Sequence, residues 1–440
     1  MFLTTFKSLG TLALLKLALP FNLTLVLIAS IINIFSNPFK IKKKPNINSK
    51  TVLLTGGKMT KALQLARSFH SAGHRVILVE THKYWLSGHR FSVAVDKFFT
   101  MPNPVKDKEG YIDGLLDIVK RESVDIFIPV SSPVASYYDS VAKMVLSPYC
   151  EVLHFDVEMT LVLDDKANLC KKASSLGLTS PASYLITNVQ EILDFDFSKN
   201  NHKYILKSIK YDSVYRLNMT QFPFEGMEEY VRSLPISEEN PWVMQQFITG
   251  QEYCTHSTVR NGKIRLHCCS ESSHFQVNYK HIDNQKIYEW VEEFVGKLNL
   301  TGQISFDFIQ TDDGTVYPIE CNPRTHSAIS MFYNHPLVAD AYLNDGDDAP
   351  ITPLESSKPT FWTYHELWRL TEVRSPQDLS QWWQKVTKGQ DGIFSWQDPL
   401  PFLMVHHWQI PLLLFGNLMK LKPWVKIDFN IGKLVESAGD

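Results

Sequence analysis

Apolar and polar residues alternate from Gln303 to Asn322, the two-residue period of a strand that folds back on itself. Phe306 and Phe308 fall on one face, Ser305 and Asp307 on the other. Asp313-Gly314 between the halves is a two-residue hairpin signal. With that turn Asp307 lies opposite Glu320, Asn322 points the same way as Glu320, and Phe306 and Phe308 meet Cys321 and Ile319 in a core. A three-residue loop would send Asp307 to the other face. Upstream, apolar Val52–Leu54, the Thr55-Gly56-Gly57 turn, a helix from about Met59 to Ala72 and apolar Val76–Val79 form a β-α-β unit. Strands at Asp125–Val130 and Cys150–Phe155 extend it. A helix opens at Asp164-Asp165-Lys166, and Gly177 and Pro181 stop it. Strands follow at Tyr204–Lys207 and Trp242–Ile248. Glu252–Val259 and Lys263–Ser270 pair across Asn261-Gly262, and Lys286–Leu298 is a helix.

The N-terminus breaks this pattern. Leu17–Phe35 is a 19-residue apolar stretch, interrupted by Pro20, Asn22 and Asn33 and followed by Lys40, Lys42, Lys43 and Lys44. No Asp or Glu precedes Glu80. One reading is membrane attachment, with the lysines on the cytoplasmic side. The other is a buried helical hairpin packed against Phe402–Leu418. No small-residue cleavage site follows, which argues against a removed leader. The chain divides into segments 1–45, 46–155, 156–345 and 346–440. The first is apolar and basic, the second α/β, the third α+β. The last is helical and holds seven of the ten tryptophans.

Net charge of −2 argues against a general nucleic-acid partner. The six cysteines lack zinc spacing and read as reduced cytosolic thiols. His406-His407 has no accompanying carboxylates and reads as structural. Gly56-Gly57 without a G-x-G-x-x-G is weak evidence for a dinucleotide.

The chemistry gathers around the alternating hairpin. Facing carboxylates repel unless a cation sits between them. Mg²⁺ takes hard oxygen ligands from one or two carboxylates together with substrate phosphates. Lys166 stands at a helix N-terminus, where backbone N–H groups favour anions. Lys207 lies in an apolar strand, as a phosphate cation or as an edge lysine snorkelling to water. Gln245–Glu252 reads as a strand and a turn.

Taken in order, these pieces resemble the ATP-grasp superfamily over residues 50 to 345. They are a lysine after an aspartate, a strand lysine, the hinge Gln245-Gln246-Phe247-Ile248-Thr249-Gly250-Gln251-Glu252, and Asp307 followed by Glu320-x-Asn322-x-Arg324. The resemblance implies α/β and α+β architecture. An ATP-grasp fold follows a doubly wound pre-ATP-grasp domain and precedes a helical C-terminal extension. It implies ATP and Mg²⁺ as cofactors. Lys166 and Lys207 would hold phosphates, Gln245 and the Phe247-Ile248 backbone adenine, and Glu252 the ribose. Asp307, Glu320 and Asn322 would hold metal, and Arg324 would stabilise the transferring phosphoryl group. The phosphate-covering loop, glycine-rich in relatives, is Lys210–Arg216 here. Ser213 and Arg216 are its candidate contacts.

The strings GGKMTKALQLARSFHSAGHRVILVE, HKYWLSGHRFS, SSPVASYYDS and ECNPRTHSAISMFYNHP resemble the ATP-grasp enzymes of mycosporine-like amino acid biosynthesis, known from cyanobacteria. That resemblance implies small-molecule substrates, a cyclohexenone and an amino acid. Lys58, His89, Arg90, Ser132 and Ser136, on loops of the N-terminal domain, are candidates to bind them. An ATP-grasp ligase acting on another carboxylate or joining two amino acids, and a membrane-associated nucleotide-binding module without catalysis, are the alternatives. A cytoplasmic location, with or without attachment to the inner face of a membrane, is expected.

Overall fold

The computed structural model describes residues 2–36, 48–130, 133–199, 202–209, 219–272 and 278–435. Helix α1 (Phe2–Ser36) comes first. An α/β unit follows from β1 (Thr51–Leu54), α2 (Thr60–Ser71), β2 (Arg75–Thr81), β3 (Lys97–Met101), α3 (Lys108–Glu122), β4 (Ile126–Ile128), α4 (Pro133–Leu146) and β5 (Glu151–Val152). Its strands order 3-2-1-4-5 and all pair in parallel. Helices cover both faces, so strands such as Val52-Leu53-Leu54 are continuously apolar and fully buried.

Helices α5 (Val157–Asp164) and α6 (Lys166–Ser175) lead into two antiparallel sheets. The smaller holds β6 (Ser183–Ile186), β7 (Tyr204–Ser208), β8 (Gln221–Phe222) and β9 (Trp242–Gln246) in the order 6-9-7-8. Helices α7 (Val189–Leu193) and α8 (Met227–Ser233) cover it. Its core of Ile192, Tyr204, Leu206, Phe222, Trp242 and Met244 is separate from the others. The larger holds β10 (Gln251–Arg260), β11 (Lys263–Glu271), β12 (Gly302–Gln310) and β13 (Val316–Asn322) in the order 11-10-12-13, with α9 (Gln285–Lys297) behind it. Trp290 and Phe294 of α9 pack edge-on against Phe306 of β12.

The β12–β13 hairpin corrects the expected turn and keeps the expected pairing. Gly314 N–H donates to Thr311 at 2.8 Å, and Thr311 N–H to Thr315 at 3.0 Å. Asp312, Asp313 and Gly314 therefore form a three-residue loop, with Gly314 at φ +81°. Alone, that loop would shift the register. A β-bulge between Asp307 and Phe308, where Ile319 is the extra residue, shifts it back. Asp307 pairs with Glu320 and Phe306 with Cys321, while Phe308 meets Pro318 rather than Ile319.

The N-terminal segment is one helix running through Pro20, not a hairpin. It does pack on the Phe402–Leu418 region: Leu15 and Val26 join the core that holds Phe402, Val405, Ile410 and Leu414. Lys40 to Lys44 lie outside the described residues. The C-terminal extension is tied to the α/β unit. Asn430 accepts the Thr60 N–H at 2.8 Å, and the Gln409 side chain bonds Gly88 and Gly432. All six cysteines are free and buried. His406 is buried and stacks on Tyr364 at 4.3 Å, a structural role.

Candidate active site

The site lies where β13, the α5–α6 junction and the inner face of the small sheet converge. Asp165 caps α6 by accepting the Asn168 N–H at 2.7 Å, which fixes Lys166 in the first turn. From there the Lys166 ammonium reaches Glu320 at 3.1 Å. Burial opposes the Glu320 charge, but Lys166, Lys207 and Arg324 hold its carboxyl below the usual value. Asp307, facing it, is raised, first by burial and then by Glu320. A carboxyl raised by burial and by a facing carboxylate marks a place short of positive charge.

Lys207 pairs with Val243 of β9, while β8 pairs with β7 at Tyr204 and Ile205. Burial lowers its pKa, Lys166 lowers it further, and Glu320 and Glu252 oppose the shift. Lys166, Lys207, Glu252 and Glu320 therefore share one electrostatic environment. Gln245 lies two residues along on the same face as Val243, its amide nitrogen 3.5 Å from Cys170 and 3.4 Å from Ser183. That leaves its carbonyl oxygen as acceptor. Phe247 has its N–H committed to Lys203 at 2.7 Å. Of the hinge pair, only Ile248 keeps its N–H uncommitted among the described residues.

Arg324 follows β13. Its Nη2 donates to Asn322 at 2.7 Å, and its buried Nε has no partner among the described residues. Burial works against its charge, while Glu320, Asp164 and Asp307 support it. Asp164 was not singled out from sequence, although it adjoins Lys166. Burial raises its pKa, and Arg324 and Glu320 are its strongest charged neighbours. Lys61 was missed too. It is buried in α2 and donates to the Thr325 carbonyl at 2.7 Å, and burial lowers its pKa well below the lysine value, with Arg324 and Lys58 adding to the shift. A lysine in line with Leu65 and Phe69 at four-residue steps was the available signal.

The N-terminal candidates separate. Lys58 binds Glu80 at 3.2 Å and lies over the Tyr84 ring. Arg90 donates to Trp85 at 2.5 Å and stacks over Phe98. His89 is fully buried, and its charged neighbours are Arg67, Asp398 and His406 rather than any phosphate-site residue. Ser136 donates to the Pro323 carbonyl at 2.9 Å, which steadies the turn before Arg324. Ser132, Ser213 and Arg216 lie outside the described residues. The Gly56-Gly57 turn does not offer a dinucleotide cradle. Glu80 is taken by Lys58 and Thr81, and the Asn430 carbonyl occupies the N-terminus of α2.

The donor set fits Mg²⁺. Two carboxylates face each other beside an amide oxygen, and among the described residues no group of three or more His, Cys, Asp or Glu forms a metal cage. Mg²⁺ is held in just this way, by few protein oxygens and substrate phosphates. Residues 163–328 match the ATP-grasp domain family. Solved structures of like fold include an N5-carboxyaminoimidazole ribonucleotide synthetase in complex with ADP, at TM-score 0.53 and 14% identity over 75% of this chain and 87% of that one. They also include N5-carboxyaminoimidazole synthetase from Staphylococcus aureus complexed with ADP, at 0.51 and 13% over 70% and 80%. Biotin carboxylase from Campylobacter jejuni matches at 0.52 and 13% over 67% and 72%. No curated protein matches the sequence significantly. The family match covers that segment, and these solved structures share its fold.

Proposed function

We propose that this protein is an ADP-forming ATP-grasp ligase, dependent on ATP and Mg²⁺, that joins the amine of glycine, or of another small amino acid, to the cyclohexenone 4-deoxygadusol, giving mycosporine-glycine. The observation that carries the phosphoryl-transfer half is the convergence of Lys166, Glu320, Asp307 and Arg324. The substrate pair is supported by the sequence strings quoted above.

In the first step an enolic oxygen of the cyclohexenone attacks the γ-phosphorus. The bond to the β-phosphate oxygen breaks and ADP leaves. In the second, the amine nitrogen adds to the carbon bearing the new phosphate ester. The C–O bond then breaks, phosphate departs and the nitrogen loses a proton. Lys166 and Lys207 hold the phosphates in line, and Arg324 offsets charge on the transferring group. Asp307, Glu320 and Asn322 would hold Mg²⁺, which when bound neutralises phosphate charge. Asn322 and Ser136 fix the Arg324 segment through the 2.7 Å and 2.9 Å bonds.

The test is incubation with ATP, Mg²⁺, 4-deoxygadusol and a panel of amino acids, following ADP and near-UV absorbance. A new absorber with stoichiometric ADP is expected. ADP release that needs a second amino acid and ignores the cyclohexenone would sink the substrate reading and leave the ligase class intact.

A further inference from the structure

We infer that α1, together with the outer face of the helix Ile410–Met419, docks flat on an anionic phospholipid bilayer and holds the enzyme at a membrane surface without crossing it. The first observation is an apolar outer face. A surface helix of a soluble protein turns its apolar stripe inward and its polar face to water. Helix α1 buries apolar residues but keeps an apolar face outward as well. The stripe Ser8, Leu15, Asn22, Val26, Ala29 and Asn33 faces the body. Its polar members are bonded there: Trp424 donates to Ser8 at 2.9 Å, Asn22 to Tyr364 at 2.6 Å, and Asn33 to the Trp396 carbonyl at 2.5 Å. Outward it presents thirteen exposed large hydrophobics between Phe6 and Phe35, with Phe6, Phe21 and Phe35 all 77% exposed or more. Leu412, Phe415 and Met419, at helical spacing on the neighbouring helix, extend that surface. Contiguous apolar area on this scale marks an interaction site.

The second observation is length. The body grips α1 from Ser8 to Asn33, about 38 Å at 1.5 Å per residue. The hydrocarbon core of a bilayer is about 30 Å thick. A helix clamped over a longer distance than that has no free span to cross with, so it lies along the interface.

The third is charge. No acidic residue occurs before Glu80 or between Pro399 and Ile427. Lys16, Lys420 and Lys426 are exposed, and Lys7 reaches the Val425 carbonyl. Lys40, Lys42, Lys43 and Lys44 follow α1 in sequence. An apolar face whose own helices carry lysines and no acidic residue complements anionic headgroups, each lysine adding on the order of fivefold to binding.

The full-length protein is floated with vesicles of phosphatidylcholine alone or with about one-third phosphatidylglycerol. Flotation with the anionic vesicles at least tenfold tighter than with the neutral ones is expected, as is release by alkaline carbonate. Leu14→Asp/Phe21→Asp should lower binding at least tenfold with circular dichroism and ADP affinity unchanged. Should that variant aggregate, Lys16→Glu/Lys420→Glu supplies the same comparison without touching the apolar face. Absence of flotation with either vesicle, retention after carbonate, or a discrete dimer that buries this face and ignores vesicles would each overturn the inference.

Discussion

Glu320 touches Lys166 and faces Asp307, so neutralising it changes two interactions at once. Glu320→Gln keeps the shape and removes the charge. Turnover should fall by about 10²–10³ while ATP affinity changes far less, because the lost contact acts on developing charge. Steady-state kinetics with ATP titrations checks this, and unchanged turnover would remove both the metal and the catalytic assignment. A second residue-scale effect lies away from the site. Asp139 is fully buried in α4 and accepts the Tyr111 hydroxyl at 2.6 Å, and burial pushes its carboxyl up to about 7. The folded value is raised above the unfolded one, so the folded state holds the extra proton between about pH 4 and 7. Stability from this group is complete below that window and is lost as pH rises through it. Asp139→Asn cannot ionise. At about pH 8 it should exceed the parent by up to about 4 kcal/mol, and the advantage should vanish near about pH 4 in urea melts. Single residues were legible where they belonged to a spaced pattern, as with Glu320-x-Asn322-x-Arg324. Lys61 and Asp164 were not, because their roles come from which element packs beside them, and that is tertiary information.

At the scale of elements, the β12–β13 hairpin shows how a right pairing can rest on a wrong turn. Asp313-Gly314 signalled a two-residue turn, and the alternation signalled Asp307 opposite Glu320. The chain uses a three-residue loop and recovers the pairing with the bulge at Ile319. A bulge leaves almost no mark in hydropathy, since it adds one residue to a strand that alternates on either side. Removing that residue tests the account. Deletion of Ile319 should leave the Gly314 loop intact and join Pro318 to Glu320, so that the ladder runs regularly with Asp307 still opposite Glu320. The expected outcome is a folded protein by circular dichroism, with Mg²⁺-dependent ADP binding kept within about tenfold of the parent. Loss of that binding would mean that Ile319 does more than reset the register. The β-α-β unit and the helix of Lys166 were legible because each is bounded by glycine or a capping aspartate. Helix α1 was half legible: its apolar run stood out, while the inward hydrogen bonds of Asn22 and Asn33 depend on partners several hundred residues away.

For the whole molecule, the C-terminal extension decides whether the chain behaves as one unit. The Arg67 guanidinium on α2 donates to Asp398 at 2.9 Å and to the Ile393 and Asp398 carbonyls. Asp398 also accepts from Ser92 at 2.6 Å and from the Val93 N–H at 3.0 Å. Both ionic groups are nearly dry, with side-chain exposures of 15% and 5%. Such a pair adds little over an apolar replacement, but breaking it leaves a lone buried charge. Arg67→Met should therefore destabilise the protein by about 3–5 kcal/mol. Arg67→Met/Asp398→Asn should recover much of that, because the amide still accepts from Ser92 and Val93 and carries no charge. Urea unfolding followed by tryptophan fluorescence reads the outcome, since seven of the ten tryptophans lie in the extension. A clamped extension predicts that the single variant moves the fluorescence and far-ultraviolet dichroism transitions together. Movement of the fluorescence transition alone would mean that the extension unfolds on its own, and that its grip on the Lys58–Thr60 turn is not part of the catalytic unit's stability.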